Sequence, residues 1–371
     1  MNEQTSFDTV VVGAGIAGAA IGAHLARRGL SVLLIEAEER PGYHATGRSA
    51  AFWLESYGGE AVVPLSAASR AFLDQPPANF SPHGFLKPRG AIYIAREGRS
   101  APFAHLPEGP IYEPLDPQRL RSLVPGLRSE WSQGLAEPSC REIDVAALHQ
   151  AYLASFTRAG GELRCGAGLD RGVWDEGGWS LRLADGRTVR ADRIVDAAGA
   201  WADDVAERCG VAGLRIEPKC RTMLQLRIAQ MECRALPLVN DADGRFYFRG
   251  AGDHSVWLSP HDELESVPCD AAPEELAVAT AIDRLQQVVD WRIEAVERKW
   301  AGLRTFAPDR VPVIGWDAHQ PGFFWYAGQG GTGIQTQPAA AALARAIFLE
   351  DEPAGLVEGI DTGPYDPARF E

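Results

Sequence analysis

Lysine is almost absent from this 371-residue chain: Lys87, Lys219 and Lys299 are the only three among 36 basic residues. A covalent mechanism built on a lysine amine therefore has few candidates. Basic charge as a whole is short, 36 residues against 50 acidic ones, for a net charge of −14. That argues against nucleic acid or an anionic membrane surface as a partner, because both call for a basic face. Cysteine is sparse and scattered. Cys140, Cys165, Cys209, Cys220, Cys233 and Cys269 form no Cys-x-x-Cys pair, and none stands at metal-ligand spacing from a histidine. Reduced thiols, no metal site and a cytoplasmic location are the expectation. Long hydrophobic runs are missing too. The uncharged stretch from Thr9 to Ala26 follows Glu3 and Asp8 and is broken by glycines, so it reads neither as a signal peptide nor as a transmembrane segment. A hydrophobic fraction of 46% with 23% charged residues excludes a disordered or collagen-like chain. The length corresponds to about two to two and a half domains. Arginine, by contrast, is plentiful, and its planar fork suits carboxylates.

The first forty residues carry the strongest pattern. Phe7 to Val12 is a valine-rich run of the kind found in buried parallel strands. Gly13-Ala14-Gly15-Ile16-Ala17-Gly18 follows, then a helix predicted over Ile16 to Arg28 and closed by Gly29. A second run, Ser31 to Ile35, ends at Glu36, 18 residues after Gly18. The three glycines of the motif do different things. Gly13 makes the tight turn, Gly15 admits a pyrophosphate to the backbone, and Gly18 lets helix pack on strand. Amides at the helix start, around Ile16 and Ala17, face the phosphates, and Glu36 accepts a ribose hydroxyl. This unit predicts dinucleotide binding without separating NAD from FAD. The following loop, Arg40 to Ala51, separates them. Its His44, Thr46, Gly47, Arg48, Ser49 and Ala50 supply small groups, hydroxyls and a guanidinium suited to wrapping a flavin's ribityl and phosphate portion.

Further along, Ala146 to Ala159 is predicted helical, Leu163 to Val173 and Trp179 to Leu183 are strand-like, and Arg193 to Val195 runs as a strand into Ala198-Gly199-Ala200-Trp201, a second approach to the cofactor. Residues 219–300 alternate short strands (Met223 to Ile228, Arg245 to Arg249, Ser255 to Ser259) with a helix near Pro273 to Val288, and Phe85 to Ala95 is expected to add a strand to the same antiparallel sheet. Gly322 to Ala327 is a strand leading into Gly328-Gln329-Gly330-Gly331-Thr332-Gly333, and a helix is expected from Ile334 to Phe348. The predicted class is α/β: a Rossmann-like FAD-binding domain of residues 1–84, 141–218 and 300–371, interleaved with an α+β substrate domain of 85–140 and 219–299.

The glycine motif, Glu36 and the stretch Pro41 to Ala51 resemble the FAD-dependent D-amino acid oxidase superfamily in its glycine oxidase and sarcosine oxidase-like branch, and within it the D-arginine dehydrogenase-type enzymes most. The resemblance extends over nearly the whole chain. It implies an enzyme, a D-amino acid dehydrogenase or oxidase, that passes a hydride from Cα of an amino acid to flavin N5. The imino acid formed then hydrolyses to a 2-oxo acid and ammonia. It implies that Arg304, in Gly302-Leu303-Arg304, holds the substrate carboxylate bidentately with Tyr247 and Arg221, and that Tyr57, Gly331 and Gln335 border the substrate. Ala37, Leu169, Gly302, Gly330, Thr332, Gly333 and Ile334 join the cofactor set by the same resemblance. Thr305 to Asp317 contains no cysteine where the family's covalent flavin attachment occurs, so FAD is expected to be non-covalent. Three departures bear on the substrate. The acid that would recognise a basic side chain is Ala91 here, the expected histidine is Phe52, and a nearby threonine is Leu54. A neutral or apolar side chain is therefore expected rather than a guanidinium. Oxidation of a 2-hydroxy acid and service as the flavin-binding subunit of a hetero-oligomer remain as alternatives, and the electron acceptor is left open. His261-Asp262-Glu263 is read as a solvated loop and Asp203-Asp204 as a helix start; no nucleophile-base-acid order supports hydrolysis.

Overall fold

The computed structural model describes residues 5–371. Its first sheet is built around the valine strand, Ser6–Val12, which pairs in parallel with Val32–Ile35 on one side and Thr188–Asp196 on the other. Glu162–Arg164 extends it beyond Val32–Ile35, and Phe323–Ala327 lies parallel to the end of Thr188–Asp196. These strands are apolar on both faces because both faces are covered. Val11, Val32, Leu34, Val195 and Phe324 meet one layer of helices, Ile16–Ala26, Val145–Arg158 and Gln337–Leu349. Val10, Val12, Leu33, Ile35, Ile194, Phe323 and Trp325 meet an antiparallel hairpin, Leu169–Asp175 with Gly178–Leu183, and the short helix Ala202–Arg208.

The second sheet has nine strands and is mostly antiparallel. Its spine is one long pair, Glu217–Ile228 against Ile293–Phe306. Ser255–Ser259, Tyr247–Gly250, Leu238–Asp241, Ala91–Ala95 and Gln133–Glu137 follow in order across it. Leu238–Asp241 and Ala91–Ala95 are the parallel neighbours. Helix Glu275–Gln286 closes the core on one face of this sheet. A small third sheet joins Phe52–Trp53, Arg141–Ile143 and Leu86–Pro88.

Three predicted elements change. Leu163 to Val173 is two strands, because the chain turns at Gly166 (φ +62°) and Gly168 packs against Ala37. Phe85 to Ala95 is also divided: Gly90 (φ +71°) bends the chain after Pro88, so Leu86–Pro88 joins the small sheet and Ala91–Ala95 the large one. The last long helix starts at Gln337 rather than Ile334, with Pro338 in its first turn, which leaves the glycine loop longer than expected.

Candidate active site

A cavity of about 690 Å³ lies between the two large sheets. One end is the glycine turn. Gly13 has φ +97°, and a Cβ there would stand 2.7 Å from the Ala197 carbonyl. At Gly18 a Cβ would meet the Gly13 carbonyl at 1.8 Å, so this glycine permits the turn to pack on the helix. Gly15 begins the helix and has no side chain to cap it, which leaves first-turn amides other than that of Ile16 available to an anion. Glu36 braces the turn by accepting hydrogen bonds from Ala14 N (2.9 Å) and Glu38 N (3.0 Å). Thr46 Oγ1 accepts from Ile16 N at 3.0 Å.

The loop after Glu36 is tied to the second sheet through Arg48. Its guanidinium donates to the carbonyls of Ala271 (2.9 Å) and Ala301 (3.1 Å) and pairs with Asp270. Its own carbonyl accepts from Trp300 Nε1 at 3.0 Å. Gly302 gives the arginine stem room, since a Cβ there would stand 3.3 Å from Arg48 Cβ. His44 bonds Glu38 at 2.8 Å and lies 4.5 Å from the Trp201 ring.

The other end of the cavity is cationic. Arg304 forms no ion pair among the described residues, and its guanidinium Nη1 donates to Tyr57 Oη at 2.8 Å. Arg221 is 4% exposed. Its Nε donates to the Asp262 carbonyl at 2.7 Å, its Nη2 reaches Glu263 at 3.3 Å, and its Nη1 is buried with no partner. Two guanidiniums facing one space, Arg221 with only long carboxylate contacts to Glu263 (3.3 Å) and Asp262 (3.9 Å) and Arg304 with none among the described residues, call for an anion. Burial would push the Tyr57 phenol up, but Arg304 and Arg221 outweigh it and hold it below the usual 10. Burial, with Arg221 second, holds His261 down to about 4. His261 Nδ1 stands 2.6 Å from the Gly244 carbonyl, so a neutral ring donates from that nitrogen and leaves Nε2 as an acceptor.

Of the site residues expected from sequence, the cavity brings together Gly13, Gly15, Ile16, Ala17, Glu36, Ala37, His44, Thr46, Arg48, Ser49 and Ala50 with Ala198, Gly199, Trp201, Gly302, Gly330, Gly331, Gly333, Ile334 and Gln335. Arg221, Tyr247, Arg304 and Tyr57 line it as well. Four expected residues stand outside its wall. Gly18 and Gly47 are packing positions against Gly13 and Gly42, Thr332 bonds the Gln329 carbonyl, and Leu169 belongs to the core beneath the first sheet, with Gly168 taking its place at the wall. Gln335 is at the wall, but its amide is engaged by Leu54, Tyr57 and Ser66. It positions the segment carrying Tyr57. The reading of 261–263 as a solvated loop is corrected: Asp262 accepts from Thr222 N and Oγ1, Glu263 from Arg221 and Arg310, and His261 lines the cavity. Asp203 and Asp204 stand in the first turn of the short helix Ala202–Arg208; Asp203 accepts from the Leu214 and Ile216 amides beyond it, and Asp204 lines the cavity. Sequence reading missed Ser56, Tyr93, Asn240 and the His105 to Pro107 loop, all at the wall. Alternation in Ala91–Ala95 shows that Tyr93 shares a face with Ala91, but nothing in it says which face meets the cavity.

The family model described as DAO, FAD dependent oxidoreductase, matches residues 8–347. The chain belongs to this family. FAD is its cofactor. Among curated proteins the chain is 27% identical to glycine oxidase of Pseudomonas aeruginosa, over 97% of this chain and 98% of that one. It is 24% identical to the hydrogen cyanide synthase subunit HcnC of the same organism, over 99% and 97%. It spans 53% of the length of the bifunctional protein ThiO/ThiG of Nostoc, also at 24% identity. The crystal structure of glycine oxidase from Geobacillus kaustophilus superposes with a TM-score of 0.83 at 21% identity, covering 99% of both chains. That of L-proline dehydrogenase from P. horikoshii gives 0.83 at 20%, covering 99% and 98%. At these identities the structures establish the fold.

The residues present fit FAD. The helix start behind Gly15 and the Gly13 turn suit a pyrophosphate, and Glu36 is buried at the wall with lone pairs to spare for a ribose. At Gly331 a Cβ would stand 2.7 Å from both Arg304 Nη1 and Tyr57 Oη, so the backbone is bare where the two parts of the cavity meet. No helix among the described residues is long and apolar enough to cross a membrane.

Proposed function

We propose that this oxidoreductase deaminates a small amino acid with a neutral or apolar side chain, in the D configuration, in the cytoplasm. The observation that carries the proposal is Arg304, a guanidinium beside Tyr57 and Arg221 in the cavity with no carboxylate partner of its own among the described residues. A substrate carboxylate completes it through charge-assisted hydrogen bonds. Tyr247 and Arg221 flank that position, which fixes where Cα lies and turns an encounter into a positioned reaction. FAD, non-covalently bound, supplies the acceptor for the Cα hydride and its two electrons. The amine enters neutral, so no protein base is needed; the imino product then takes up water and releases ammonia and a 2-oxo acid. Gln335 holds the Leu54–Tyr57 backbone, keeping Tyr57 against Arg304.

Arg304→Ala is expected to lower kcat/KM for the best amino acid about 100-fold, chiefly through KM, while FAD stays bound. Unchanged kinetics would sink the assignment. A second reading comes from HcnC, a relative named as a synthase subunit: the chain would then work only within a hetero-complex. Turnover by the purified single chain with an artificial electron acceptor decides against that. Ammonia release per flavin reduced separates amine from 2-hydroxy acid oxidation.

A further inference from the structure

The sequence places Ala91 where a side-chain-recognising acid would be expected, but the structure puts an acid directly across the ladder. Ala91 pairs with Glu137 on the antiparallel strand Gln133–Glu137, so the two side chains share a face. Glu137 is fully buried, its carboxyl forms no ion pair among the described residues, and burial pushes its pKa up. It is met by hydroxyls and an amide instead: Ser56 Oγ at 2.6 Å, Tyr93 Oη at 3.2 Å, Ser139 Oγ at 3.3 Å and Ser56 N at 3.4 Å. Ser56 Oγ and Tyr93 Oη are 2.7 Å apart. Ser56 and Tyr93 line the cavity; Glu137 stands behind them.

The protons in this chain of groups have a direction. Ser56 Oγ donates its one hydroxyl proton to Glu137 Oε2 at 2.6 Å. Its oxygen is then open to accept from Tyr93. The Tyr93 phenol, held well above its usual range by burial and by Glu137, keeps its proton and points it inward. What remains toward the cavity is the lone pair of Tyr93 Oη, made a stronger acceptor by the chain of hydrogen bonds behind it. Tyr93 lies in register with Asn240, and Asn240 with Tyr247, across three neighbouring strands. All three line the cavity. At strand spacing the two tyrosine positions are about 10 Å apart, so one substrate spans from the carboxylate end to Tyr93 through its side chain.

We propose that Tyr93 and Ser56, backed by Glu137, form a side-chain subsite that accepts a hydrogen bond from an O–H or N–H donor on the substrate. This rests on the reading of the Arg304 end as the carboxylate site. It narrows the substrate class to amino acids whose neutral side chain ends in a donor, and it disfavours acidic side chains, which carry no donor when ionised. The subsite discriminates because an isostere without the donor leaves a buried acceptor unmatched.

Two isosteric pairs of both hands test it: tyrosine with phenylalanine, and homoserine with norvaline. Each is measured by anaerobic flavin reduction for kcat/KM and by perturbation of flavin absorption for Kd. The wild type is expected to prefer the hydroxylated member of at least one pair by roughly tenfold. Tyr93→Phe and Glu137→Gln are expected to cut that ratio to within about threefold with FAD still bound; where one variant fails to fold, Ser56→Ala replaces it. Equal or reversed preference in both pairs, or a ratio that survives in the variants, overturns the subsite. If no amino acid reduces the flavin while the Kd ratios behave as expected, the deamination reading falls and the subsite stands.

Discussion

Among single residues, the site is defined by unmatched polar groups. Arg221 carries the strongest mark, a buried guanidinium nitrogen with no partner, while Arg304 leans on a phenol. The lowered Tyr57 phenol has a consequence for pH. Its phenolate would neutralise Arg304 and repel an incoming carboxylate. Affinity for a carboxylate probe such as benzoate should therefore decline as pH rises, and should do so below the usual tyrosine value of 10. Tyr57→Phe should abolish that decline. Flavin-absorption titrations between pH 7 and 10 check it, and a flat wild-type profile would contradict the assignment. Glu36→Ala removes the acceptor of two backbone amides at the glycine turn. We expect about a tenfold weaker FAD affinity, readable by ultrafiltration of released flavin.

Among the elements, the strand-turn-helix-strand unit at the N-terminus is fully legible in the sequence because every piece has a local signature: a β-branched run, three glycines with separate steric roles, and an acid at the strand end. Gly18→Ala tests the steric part. Its Cβ would stand 1.8 Å from the Gly13 carbonyl, so the turn must shift, and both Tm and FAD content should fall together. A variant of normal Tm and full flavin content would show the packing to be looser than described. That Arg304, Tyr247 and Arg221 share one cavity is legible through resemblance. Ser56, Tyr93, Asn240 and Glu137 are not, because their meaning depends on register. Tyr93 is one aromatic in Ala91–Ala95, and the Glu137 strand reaches it from more than forty residues away in sequence. His261 is hidden for the same reason: next to Asp262 and Glu263 it looks solvated, and only the pairing of 264–265 with 219–220 folds that segment against Arg221.

Across the whole molecule, the cavity belongs to both sheets. The glycine turn and Glu36 come from the first, Arg221, Tyr247 and Arg304 from the second, and Arg48 ties the cofactor loop to the latter. We propose that these sheets are the cores of two interleaved domains, with the boundary read at residue 300 moved past Phe306, because Ile293–Phe306 runs unbroken along the second sheet. The alternation of strand and helix patterns makes that layering visible. The division of residues 85–95 between two sheets is hidden, because Gly90 fits a strand pattern as easily as a bend. A cofactor held between two sheets should stabilise the protein as a unit. At FAD concentrations 100 times Kd the added stability is about 2.7 kcal/mol. Removing the flavin should lower Tm and open the Arg40 to Ala51 loop to proteolysis, and restoring FAD should reverse both. Equal proteolysis rates with and without flavin would contradict this coupling.

Everything proposed for the site depends on Arg304 holding an amino acid's carboxylate while its Cα–N bond is oxidised. An anaerobic screen of D- and L-amino acids for flavin bleaching, run in parallel on wild type and Arg304→Ala, puts that to the test. At least one amino acid with a neutral side chain should bleach the wild-type flavin with stoichiometric ammonia release, and the variant should need about 100-fold more substrate for the same rate. Wild-type flavin that no amino acid bleaches, or a variant that bleaches as readily as wild type, would contradict the role given to Arg304.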